Sequence, residues 1–97
     1  MYLSIVIPAF NEQENINNLY NRLSNVLARF GKKYEIIFVD DASQDSTFEE
    51  IKKCRPVRAY RLSRNFGQTI AFACGIRHAK GDIIVTLDGD LENQPED

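Results

Sequence analysis

Four short segments of this 97-residue chain carry residue types that can do chemistry. Asp88-Gly89-Asp90 follows the apolar run Ile83–Leu87. Along extended backbone, residues i and i+2 share a side. The intervening glycine adds no bulk, so both carboxylates can reach one hard divalent ion, and through it a substrate diphosphate. Asp40 and Asp41 follow a second apolar run, Tyr34–Val39. Asn11 and Glu12 follow a third, Tyr2–Pro8, and Arg64 follows Val57–Leu62. A lone acid-x-acid triplet is a weak signal; its place directly after a buried run strengthens it.

The elements that must hold these residues can be read from periodicity. Tyr2–Pro8, Tyr34–Val39 and Ile83–Leu87 are short, apolar and largely β-branched or aromatic, which predicts buried strands, and Val57–Leu62 predicts a weaker one. Ile16, Leu19, Tyr20, Leu23, Val26, Leu27 and Phe30 recur at helical spacing, and Gly31 supplies a stop. Ser46 with Glu49 fits a capping box opening a short helix to about Lys53. Gln68–Ala79 is Ala-rich and helical, closed by Gly81. Strands alternating with helices predict an α/β fold with right-handed crossovers and an open, mainly parallel sheet between helical layers. Ligands of such sheets bind at the carboxyl ends of the strands.

Charge distribution points to the same edge. The loops after the strands hold Glu12, Glu14, Asp40, Asp41, Asp45, Asp88, Asp90, Glu92, Glu96 and Asp97, most of the fourteen acids, and of the twelve bases only Arg64. Such an edge repels itself unless a cation binds it, and oxygen ligands of this kind suit Mg²⁺ or Mn²⁺. The structural alternative, that an acid merely caps a helix, is the expectation for Asp45 and Glu14.

Composition narrows the function classes. Hydrophobic residues make up 43% and charged residues 27%, with a net charge of −2, so the chain is globular and lacks the basic excess of a nucleic-acid binder. Cys54 and Cys74, with one His, make neither a zinc site nor a disulfide framework and read as reduced, intracellular cysteines. Met1–Phe10 has no basic n-region and reads as a strand. No apolar run approaches the ~20 residues of a membrane span. Glycine-rich phosphate cradles and a GxSxG elbow are absent. His78 and Cys74 read as helix-end and packing residues.

Taken together, Pro8-Ala9-Phe10-Asn11-Glu12, Val39-Asp40-Asp41-Ala42-Ser43 with Asp45-Ser46-Thr47, Arg64-Asn65-Phe66-Gly67, and Asp88-Gly89-Asp90 resemble family 2 glycosyltransferases of the GT-A fold, in order and across essentially the whole chain. Arg64–Gly67, Asp88–Leu91 and Pro95-Glu96 look most like the branch that glycosylates polyprenyl phosphates, similar to dolichyl-phosphate mannose synthases. The resemblance implies a three-layer, Rossmann-like nucleotide-binding half and inverting transfer from a UDP- or GDP-linked sugar to a polyprenyl phosphate or a saccharide. It also implies residue roles. Pro8, Phe10, Asn11 and Glu12 would line the nucleoside pocket, Asp40 and Asp41 would hold base and ribose, and Arg64 would sit near the donor. Asp88 would contact ribose or metal, Asp90 would ligate the metal, and Glu92 would add a further ligand.

The chain departs from that branch at Glu92, where Gln is usual, and at Gln94, where Pro is usual. It also stops seven residues after Asp90, whereas family members continue into an acceptor-binding half, often with membrane helices. The expectation is a donor-binding half without a catalytic residue of its own and without turnover alone, cytoplasmic, from a parent at the cytoplasmic face of a membrane. Its last strand, apolar on both faces, is expected to recruit a second copy. Two other readings fit the same sheet. A nucleotidyltransferase or other nucleotide-sugar-binding domain is one, but a nucleotidyltransferase would show a glycine-rich basic loop after the first strand, where this chain has Asn11-Glu12. A non-catalytic receiver-like module is the other; it would carry its acids after strands one and three with a late Lys, whereas here the acids after strands two and four are the strong ones.

Overall fold

The computed structural model describes residues 1–87. The chain runs β1 (Tyr2–Ala9), α1 (Ile16–Phe30), β2 (Lys33–Asp40), α2 (Thr47–Lys53), β3 (Arg58–Arg61), α3 (Gln68–His78) and β4 (Ile83–Thr86). All strand pairs are parallel, in the order β3-β2-β1-β4. From β1 the chain steps outward twice, to β2 and β3. The crossover through α3 then returns it to the far side of β1. The direction of winding therefore switches between β1 and β4, where open α/β sheets bind ligands.

Alternation along the two central strands builds both cores. Ile5, Ile7, Ala9, Ile36 and Phe38 meet Ile16, Leu19, Tyr20, Leu23 and Leu27 of α1, and Ile51 of α2, on one face. Val6, Ile37 and Val39 meet Ala71 of α3 on the other. The result is the expected three-layer α/β/α arrangement. On the α3 face the helix lies unusually close, because a Cβ at Gly75 would overlap the Val6 side chain.

Four local expectations change. β4, expected as a buried strand, has all four residues exposed, because it lies at the edge of the described sheet. Phe30, placed by periodicity on the inner face of α1, is 61% exposed at the last helical residue, just before Gly31 turns left-handed at φ 68°. Ser46 makes no side-chain cap on α2; Asp45 Oδ1 instead accepts from the Thr47 N–H at 2.9 Å, so the capping box gives way to an aspartate one residue earlier. Gly81 does not close α3, which ends at His78 with Ala79 extended. Gly81 is needed where the chain passes over β1: its N–H donates to Ser4 Oγ at 2.8 Å, and a Cβ would lie 2.8 Å from Tyr2 O.

Candidate functional site

β1, β2 and β3 end level. Ala9 is opposite Asp40, and Asp40 is opposite Arg61. Pro8 sits in the buried central strand, beyond the last residues that β1 pairs with β4. Val6 O accepts from Leu87 N at 3.0 Å, so residues of that parity face β4. The missing N–H of Pro8 points the same way, past Thr86, where β4 has ended.

The loops after β1 and β2 are stitched into one wall. The Asn11 N–H donates to Ser43 Oγ at 2.8 Å, and Asn11 Oδ1 accepts from the Gln44 N–H at 2.9 Å. The Glu12 N–H donates to Thr47 Oγ1 at 2.8 Å, and the Ser46 N–H donates to Gln13 Oε1 at 2.8 Å. Two residues turn left-handed to allow this, Asn11 at φ 52° and Ala42 at φ 59°. Asparagine tolerates that region; alanine holds it only because its neighbours are anchored.

Asp40 and Asp41 face opposite sides of the sheet and do different things. The fully buried Asp40 accepts through Oδ1 from both the N–H (3.2 Å) and the hydroxyl of Ser43. Its Oδ2 has no hydrogen bond, but the Arg61 Nε lies 3.4 Å away as a counter-charge. Asp41, 4% exposed, turns towards α3. Its Oδ1 accepts from the Phe66 N–H at 2.8 Å, and its Oδ2 accepts from the Gly67 N–H at 2.9 Å and from Asn65 Nδ2 at 3.0 Å. That carboxylate caps the positive end of α3 and pins the Asn65–Gly67 loop.

The other expected site residues are placed as follows. Phe10 is 43% exposed at the tip of the first loop, and Glu12 Oε2 accepts from Asn15 Nδ2 at 3.1 Å. Arg64 lies with its guanidinium 4.9 Å from the Phe66 ring centroid, both exposed on the α3 side. Asp88, Asp90 and Glu92 lie outside the described residues; they follow in sequence from Leu87, which is hydrogen-bonded to β1 at this edge.

Four described acids of this edge have partners of their own. Asp40 has Arg61, Asp41 has three N–H donors, and Glu12 has Asn15. Burial would raise the Asp45 pKa, but the Thr47 hydroxyl and N–H hold it below the ordinary carboxylate value. These four acids each have a partner within the described residues, while Asp88, Asp90, Glu92, Glu96 and Asp97 of the same edge lie outside them. Among the described residues no group of three or more His, Cys, Asp or Glu side chains could hold a metal ion.

Arg61 escaped the sequence reading, which counted it as a strand residue and Arg64 as the one base at the edge. The signal was present in the register: two parallel strands ending together set Arg61 beside Asp40. Ser43 and Thr47, both buried, were visible as motif members, but their bonds across the two loops were not.

Comparison with known proteins bears on the same residues. The sequence profile described as glycosyl transferase family 2 matches residues 4–97. The undecaprenyl-phosphate 4-deoxy-4-formamido-L-arabinose transferase of Edwardsiella ictaluri is 43% identical over 99% of the chain and 31% of its own length. The chain thus spans about a third of the curated relatives it matches. Among solved structures, residues 1–349 of Staphylococcus aureus TarS in complex with UDP superpose with a TM-score of 0.76 at 26% identity, over 93% of this chain and 28% of that fragment. The Pyrobaculum calidifontis mannosyltransferase in complex with GDP-Man and Mn²⁺ gives 0.74 at 26%, over 91% and 27%.

Proposed function

Because the chain belongs to glycosyl transferase family 2 and has the GT-A fold, we propose that it forms the donor-binding part of an inverting, metal-dependent transferase that moves a sugar from a UDP- or GDP-linked donor to a polyprenyl phosphate. The observation that supports this most is the wall joining the Asn11 and Ser43 loops beside the β1–β4 switch, where β4 leads into Asp88. In this reading Pro8, Phe10, Asn11, Glu12, Asp40, Asp41, Arg64 and Asp88 surround the nucleoside, Asp40 and Asp41 chiefly by shaping the wall. With the acids of the first two loops already satisfied, the metal falls to Asp88 and Asp90, with Glu92 beside them. Mg²⁺ or Mn²⁺ bound there would stabilise the departing nucleoside diphosphate while an acceptor oxygen attacks the anomeric carbon from the opposite face.

The acceptor class follows the undecaprenyl-phosphate transferases among the relatives. The transfer step and a location at the cytoplasmic membrane face are proposals for the whole protein; among the described residues no helix is long and apolar enough to cross a membrane. UDP or GDP with Mn²⁺ is expected to raise the Tm of the chain, and Asp90→Asn to remove most of the metal-dependent part. An equal shift in EDTA would sink the metal assignment.

The same reading includes self-association through β4. Among the described residues the two edge strands differ: β3 carries Arg58 and Arg61, whereas Ile83, Ile84 and Val85 of β4 are 42%, 39% and 37% exposed, with no charge to repel a partner strand. A two-fold axis normal to the sheet would pair β4 with its copy. Sedimentation at tens of micromolar is expected to show a dimer, and Ile84→Lys a monomer. A monomeric unsubstituted chain would refute it.

A further inference from the structure

We propose that Arg61 is a positioning residue for the nucleotide-facing wall, an inference that rests on the donor-site reading above. Its guanidinium makes two differently directed contacts. Nε faces Asp40 Oδ2 at 3.4 Å, and Nη2 donates to the Ser43 carbonyl at 3.0 Å. The group also lies 5.6 Å from the Phe48 ring centroid, so the ring of α2 limits where it can swing. The side chain is 47% exposed, so it is not there to fill a core.

What it holds is the start of the Asp41–Ser46 loop. Asp40 is fully buried, and no other Lys, Arg or His among the described residues is ion-paired with it. Without Arg61 its Oδ2 would be a buried charge with no counter-charge, which the loop could relieve only by opening to water. The other carboxylate oxygen orients Ser43, whose hydroxyl in turn receives the Asn11 N–H. Arg61, Asp40, Ser43 and Asn11 therefore form one relay from the end of β3 to the loop after β1. A lysine could supply the charge but not both contacts, because its ammonium is a single point at the end of a flexible stem.

The test compares the unsubstituted chain with Arg61→Met and Arg61→Lys in two measurements. The first is amide hydrogen exchange at Ser43 and Asn11 without ligand. The second is the Kd for UDP and GDP with Mn²⁺. Arg61→Met is expected to speed exchange at both amides and to weaken nucleotide binding by about tenfold, the scale of one lost charge-assisted hydrogen bond. Arg61→Lys should keep the fold and recover only part of each. If Arg61→Met leaves exchange and Kd unchanged, or if Arg61→Lys matches the unsubstituted chain in both, the proposal is overturned. If Arg61→Met speeds exchange but the unsubstituted chain binds neither nucleotide, positioning of the loop stands and the donor-site reading fails.

Discussion

Asp41→Ala is expected to destabilise the chain by about 3 kcal/mol, since it strands up to three donors around a nearly buried carboxylate. For a chain of this size that is a fall in Tm of roughly 12–24 °C. The donors are the N–H groups of Phe66 and Gly67, which lead into α3, and the side-chain amide of Asn65. Losing the carboxylate also removes a negative charge from the positive end of that helix. Thermal unfolding of Asp41→Ala, with amide exchange at Phe66 and Gly67, measures both. A carboxylate reserved for a nucleobase would give a different result: UDP and GDP would bind more weakly while Tm and exchange stayed put. Adenine has no ring N–H to donate, so ADP is the control ligand. Loss of UDP and GDP affinity relative to ADP, without loss of stability, would return Asp41 to the base-binding role its place in the motif implies.

Asp41 also shows how far the sequence reaches. The two buried central strands and the amphipathic first helix were legible because each is a local pattern: the continuous apolar run through Ile5, Val6 and Ile7, buried on both faces, and the spacing of Ile16, Leu19 and Leu23; the parallel order followed from strands alternating with helices. The site edge was legible as well, because strand ends in an α/β sheet collect functional residues. What could not be read was which way each acid turns once it leaves its strand. Asp40 and Asp41 are neighbours in sequence, yet one meets Arg61 and the other the start of α3. Their partners lie 21 to 26 residues away, and only folded register brings them close. The partners of Asp40 and Asp41 were hidden for the same reason: composition counts charges but not the donors that meet them.

The opposite end of the sheet gives the second large effect, because Glu35 ties four segments together there. Its Oε2 accepts from Ser4 Oγ of β1 at 2.6 Å and from the Lys80 N–H, between α3 and β4, at 2.7 Å. Its Oε1 accepts from Arg58 Nη1 of β3 at 2.8 Å. Arg58 continues outward, donating to the His78 carbonyl at 2.8 Å and to the Tyr60 hydroxyl at 2.5 Å, and the Tyr60 ring stacks on His78. The Glu35 side chain is 8% exposed. Burial alone would raise its pKa, but the hydrogen bonds from Ser4, Lys80 and Arg58 outweigh it and hold the carboxyl below its ordinary value. A carboxyl whose pKa is depressed by folding adds stability that is present above its unfolded value, about 4.3 for glutamate, and is lost as pH falls through the folded value. Acid unfolding of the unsubstituted chain should therefore carry a Glu35 contribution below about pH 4.3. Glu35→Gln keeps the shape but presents an amide to donors, and should cost about 2 kcal/mol at neutral pH. It should also flatten the Tm-against-pH curve below that point, because the titrating group is gone. The measurement is Tm between pH 3 and 7 for both chains. If the two curves run parallel throughout, Glu35 is not the carboxylate that couples this end of the sheet to pH.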